Sequence, residues 1–146
     1  FDKTRFHEMI GVCKKYNLLS KEHNGDYLSP EGVRSRFDLG LDAINIAPEF
    51  GFIESRTIME EIYNNQSEDL FEEFFRLCYD SGKWKKWVDK NFSLTNFKKH
   101  VIIRVCGHYV FSDPRMSDIK SCLPNIDNKI KENLNKRILE VLCSTK

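Results

Sequence analysis

The chain of 146 residues is 40% hydrophobic and carries eleven phenylalanines, which excludes intrinsic disorder and allows a sizeable core in one domain or part of a larger one. Its 23 basic and 22 acidic residues nearly cancel, which speaks against a dedicated nucleic-acid or anionic-membrane surface. Cys13, Cys78, Cys106, Cys122 and Cys143 form neither a C-x-x-C pair nor a zinc spacing, and all but Cys143 have close apolar neighbours. They read as reduced, mostly buried thiols of a cytoplasmic protein rather than a disulfide framework. These residues show no signal-peptide pattern and no run of apolar residues long enough to span a bilayer, so no secretion or membrane span is expected of them. The chain enters a helical pattern at once from Phe1, as a fragment of a longer protein would.

Phe6, Met9, Ile10, Cys13 and Tyr16 recur at helical spacing and predict an amphipathic helix over 2–16, stopped by Asn17. Residues 18–22 read as a short buried strand, followed by the turn-forming His23-Asn24-Gly25-Asp26. Ser29-Pro30-Glu31 is a helix start with Ser as N-cap and Pro in the first position; Val33 and Phe37 face inward, and Gly40 ends the helix. Residues 43–47 read as a second strand closed by Pro48, apolar enough to be covered on both faces. Strand, helix and strand in this order predict a right-handed βαβ unit.

Past Ile53 the pattern is helical. Ile58 and Ile62 mark one helix; Leu70, Phe71, Phe74, Phe75 and Cys78 mark the next, capped by Ser67 and continued by Trp84, Trp87 and Val88 after a break at Gly82. Ser93 opens another helix through Leu94, Phe97, Val101 and Val105, and Asp113-Pro114 opens one through Met116, Ile119 and Leu123. Ile126, Ile130, Leu134, Ile138 and Val141 form the stripe of a terminal helix. Two strands neither close a sheet nor cover such a core, so either further strands upstream of Phe1, the favoured reading, or packing on another chain is expected.

In parallel α/β folds, reactive groups lie past the carboxyl ends of strands. The first such loop here offers His23, Asn24 and Asp26, and the second offers Glu49 and Gly51. His23 suits proton transfer or metal ligation, and Asp26 and Glu49 suit orientation, metal sharing or acid–base work. Gly51 exposes backbone N–H groups, and Ser55-Arg56 opens a helix that would meet a phosphate. The structural alternatives stay open: Asp26 as turn former, His23 solvated, Glu49 as the start of a helix. Cys106-Gly107-His108-Tyr109 fits a helix end better than a Cys–His dyad, and Trp84-Lys85-Lys86-Trp87 fits packing beside solvated lysines.

HNGDYLSPEGV, followed some twenty residues on by INIAPEFGF, resembles the tagatose-bisphosphate aldolase family, in particular its accessory (non-catalytic) subunit. His23, Asp26, Tyr27 and Pro30 match the family's first stretch, while Pro48 and Phe50 match the second loosely. Gly25 stands where the family has a small hydroxyl residue, and Ala47-Pro48-Glu49 where it has a Gly-rich loop. The resemblance implies the C-terminal part of an aldolase-type TIM barrel, its last two βα units over 1–63, followed by a helical tail over 64–146. It also implies cleavage of a phosphorylated sugar, a ketose 1,6-bisphosphate; on that reading the two loops supply His23, Asp26 and Glu49 as catalytic groups and Asn24, Gly51, Ser55 and Arg56 to hold phosphate or substrate. Zinc is the implied cofactor, and a catalytic aldolase subunit or a second copy the implied partner. A non-catalytic partner subunit, or a helical interaction module without sugar chemistry, are the other readings; none involves nucleic acid or membrane.

Overall fold

The computed structural model describes residues 1–95 and 98–145. In chain order they form α1 (Lys3–Lys15), β1 (Lys21–Glu22), α2 (Pro30–Asp38), β2 (Ala43–Ile44), α3 (Pro48–Asn64), α4 (Glu68–Asp80), α5 (Lys99–Cys106), α6 (Pro114–Ser121) and α7 (Ile126–Ser144). Short 3-10 turns occupy Lys83–Lys86 and Gly107–Tyr109. The chain divides into two compact units, Phe1–Glu49 with Asn135–Lys146, and Phe50–Leu134.

The aldolase-type TIM barrel is overturned. The structure is 66% helical, and its two strands are two residues each, so no barrel-like sheet is present among the described residues. The strands do pair in parallel around α2, Lys21 opposite Ala43 and Glu22 opposite Ile44. Ladder bonds run from Ala43 N–H to the Ser20 carbonyl (3.1 Å) and from Asn45 N–H to that of Glu22 (3.0 Å). What fails is burial. Leu18 and Leu19, expected inside, are exposed, and so is Ala43, so this short ladder is no centre of a covered sheet.

Within the first unit, Asp2 caps α1 by accepting the Arg5 N–H (3.1 Å), and Asn17 turns the chain out of it at φ 53°. Ser29 caps α2 through the Gly32 N–H, Pro30 holds the first turn, and Gly40 ends it at φ 94°, a conformation that strains residues with a Cβ. The apolar interior is small: Ile10, Val33, Leu41 and Val141. Polar ties supplement it. Ser20 and Asp42 exchange three hydrogen bonds, in which the Ser20 N–H and hydroxyl donate to Oδ2 (2.8 and 2.7 Å) and the Asp42 N–H donates to Oγ (3.1 Å). Buried Arg36 pairs with Glu22 and lies 4.2 Å over the Phe1 ring.

The second unit is organised conventionally. Ile58 and Ile62 of α3, Phe71, Phe74, Phe75 and Cys78 of α4, Ile102, Ile103 and Cys106 of α5, and Met116 and Ile119 of α6 form one apolar core. The predicted helix from Ser93 begins instead at Lys99, and Phe97, assigned to it, lies outside the described residues. Ser67 precedes α4 as expected but makes no side-chain capping bond. Asp113 does cap α6, accepting the Arg115 N–H (3.0 Å). Trp84 stacks on Tyr79 and donates its indole N–H to the Tyr79 carbonyl (3.0 Å), so it packs as expected, while Trp87 is exposed. Only Cys78 and Cys106 are fully buried, Cys122 and Cys143 are exposed, and all five thiols are free.

Candidate functional site

The two loops expected to share a rim do meet, and the carboxylates within them are occupied by the backbone. Gly25 N–H extends the ladder to the Asn45 carbonyl (2.8 Å). A Cβ on Gly25 would come within 2.3 Å of the Ile44 side chain, which is why no hydroxyl residue fits there. With the chain drawn this close, Asp26 Oδ1 accepts the N–H groups of Ala47 (3.0 Å) and Glu49 (2.8 Å). Asp26 therefore caps α3 from across the ladder, satisfying donors that the first turn of a helix leaves unpaired.

That cap lets α3 start at Pro48, which corrects the expected second polar loop. Glu49, Gly51, Ser55 and Arg56 are helical residues, and each side chain points where the helix sends it. Glu49 is turned inward. Its Oε2 accepts the Tyr27 N–H (2.9 Å) and an Nη2 bond from Arg137 (3.2 Å). Arg137 Nε stands 2.8 Å from Oε1 as an ion-pair contact without hydrogen-bond alignment, while Nη2 also donates to the Leu28 carbonyl (2.8 Å). The side chains are only 9% and 11% exposed, so each charge depends on the other.

Arg137 is the residue the sequence reading missed. The predicted stripe of the terminal helix placed Ile138 inside, yet Ile138 is exposed and Arg137 turns inward, with 11% of its side chain exposed. The inward row, buried at 126, 130, 141 and 144 and half-buried at 134 and 137, steps by four, four, three, four and three, which keeps better time with an α-helix than the all-apolar choice. Strict periodicity would have found it at the cost of admitting a charge to the stripe.

His23 and Asn24 lie exposed just past the end of β1, as expected. His23 Nδ1 lies 2.8 Å from Asn24 Oδ1, and Asn24 holds φ 65°. Beside them, a cleft of about 320 Å³ has an apolar wall of Phe6, Met9, Ile10 and Cys13 and a polar lip of Lys21, Glu22 and His23. It can accept an apolar group with a polar end.

In the second unit, a Cβ on Gly51 would stand 2.5 Å from that of His108, so Gly51 gives close helix packing. Ser55, fully buried, donates to the Gly51 carbonyl (2.9 Å) and packs against Gly107. Arg56 is exposed and pairs with Glu60 one turn on (3.4 Å). Cys106 directs its thiol to the carbonyls of Ile102 (3.1 Å) and Cys78 (3.6 Å). Hydrogen bonding to Cys106 and burial push the Cys78 thiol up, so it holds its proton. Burial, then the Lys86 charge, hold His108 below its ordinary 6.5.

The residues present do not fit the implied zinc. No group of three His, Cys, Asp or Glu side chains among the described residues could hold a metal ion, and Asp26 and Glu49 already serve backbone amides and Arg137. Among the described residues, no helix is long and apolar enough to cross a membrane. Compared with protein-family models, curated proteins and solved structures, the chain matches none.

Proposed function

We propose that the chain is a helical interaction module whose first unit binds a protein partner through α1 and the segment that follows it. One observation carries this reading: Met9, Val12, Tyr16, Leu18 and Leu19 are 61%, 58%, 65%, 62% and 84% exposed. Scattered apolar residues on a surface are ordinary, but five within eleven positions of one helix and its exit form a patch. The apolar arc of α1 is wider than the part its own unit covers, for Phe6, Ile10 and Cys13 turn inward while Met9, Val12 and Tyr16 do not. The adjoining cleft beside His23 offers a partner side chain a seat. Five free thiols support a reducing compartment, the cytoplasm, for this work.

A photo-reactive phenylalanine analogue placed at Tyr16 tests the reading in the chain's own cells. Defined cross-linked species that disappear on Val12→Glu are expected; cross-linking no greater than from the exposed Tyr63 position would overturn it.

A second reading, sugar-phosphate chemistry suggested by the aldolase resemblance, has one feature in its favour: His23 and Asn24 remain exposed together at the mouth of the first loop. Adding a ketose bisphosphate to the purified chain should then raise its Tm, and His23→Ala should remove that shift. No shift with the unaltered chain would leave the interaction module alone.

A further inference from the structure

We infer that the partner of the α1 face is a second copy of this chain, docked with its α1 antiparallel. The inference rests on the interaction reading above and adds an occupant to it. On α1, Met9, Val12 and Tyr16 follow one another at spacings of three and four and form a single exposed stripe. One border of the stripe is the inward row of Phe6, Ile10 and Cys13, facing the cleft. The other border carries Glu8 and Lys15, seven residues and almost two full turns apart, both exposed and neither ion-paired among the described residues.

This border has one acid at its N-terminal end and one base at its C-terminal end, a pattern complementary to itself when reversed. In an antiparallel pair related by a two-fold axis, the same border of each helix lies beside that of its partner. Glu8 of each copy then faces Lys15 of the other, and the axis passes between positions 11 and 12. In that register Val12 packs near the axis, and Met9 falls between Val12 and Tyr16 of the opposing helix, as side chains interleave in antiparallel helix pairs. A parallel pair about a two-fold axis would instead set this charged border against the opposite, inward border of its partner, so Glu8 and Lys15 meet across the pair only in the antiparallel arrangement, and charge selects it. The Lys15 ammonium is 5.7 Å from the Tyr16 ring, a weak contact that leaves it free to pair. Leu18 and Leu19, past the helix end, extend the apolar surface. The patch is small, so the dimer is a weak one.

Sedimentation equilibrium of the whole chain from about 10 µM to about 1 mM spans the range in which such an interface associates. A monomer–dimer equilibrium is expected. Val12→Glu should abolish it, with unchanged far-UV circular dichroism because the site is exposed. Glu8→Lys and Lys15→Glu should each weaken association about tenfold, and the double charge swap should restore it to within about threefold. A chain monomeric throughout, a dimer indifferent to Val12→Glu, or a double swap that does not restore association would each overturn the antiparallel self-pairing. The two readings fail separately: a monomer whose Tyr16 position still cross-links to a different protein loses the second copy but keeps the interaction module.

Discussion

In Phe50–Leu134, seventeen buried hydrophobic residues, from five helices and the turns at Val110 and Leu123, form one core, while the first unit buries four hydrophobic residues together with Ser20, Arg36, Glu49 and Ser144. The second unit is held by apolar area removed from water, which is non-directional and tolerant of detail. The first is held in good part by directed bonds: Asp26 on the α3 amides, Glu49 on Arg137, Ser20 on Asp42. Each of those ties gains little when made and costs much when half-removed. The difference also bears on function, because a unit stapled by polar bonds can leave apolar residues outside, as α1 does.

The largest effect should come from the apolar core. Phe74→Ala deletes a fully buried ring and should cost about 3–5 kcal/mol in denaturant unfolding. A loss under about 1 kcal/mol would mean that the core does not carry the second unit.

The buried pair comes next. Arg137→Met strands the Glu49 carboxylate and should cost about 3 kcal/mol. The double variant Glu49→Leu/Arg137→Met should recover most of that loss, since both charges leave together. If the double variant loses the sum of the singles, the pair is not the staple described.

Asp26→Ala should cost about 1 kcal/mol, the ordinary worth of a helix cap, and speed hydrogen exchange at the Ala47 and Glu49 amides. Unchanged exchange at both amides would refute the cap.

The smallest effect is a pH dependence. His108 has a folded pKa below its unfolded 6.5, so its contribution to stability is complete above 6.5 and is lost as pH falls through the folded value. Unfolding midpoints of the whole chain should therefore drop below that pH, and His108→Gln should flatten the slope. An equal slope in the variant would assign the dependence to other groups.

Much of the fold is legible in the residues because its signals are local. Ser29-Pro30 and Asp113-Pro114 announce α2 and α6, Gly40 announces a stop, and the Phe-rich row of α4 announces its buried face. The parallel relation of β1 and β2 also follows from the helix between them. The barrel did not follow, since two strand-like runs carry no information on whether anything covers them. Leu18 and Leu19 look like a strand interior and are exposed.

The candidate site divides the same way. Residue chemistry and position past each strand-like run selected His23, Asn24, Asp26 and Glu49, and the structure sets the first three in the loop after β1 and Glu49 in the first turn of α3. Only tertiary structure decided what their atoms do. Asp26 reaches amides twenty-one and twenty-three residues away, and Glu49 meets Arg137 eighty-eight residues along the chain. Caps, turns and stripes are fixed by neighbours within a helical turn or two, so the sequence by itself determines them. The partner of a carboxylate, and whether an apolar face is covered, depend on chain segments that sequence order does not bring together; those were settled by the fold.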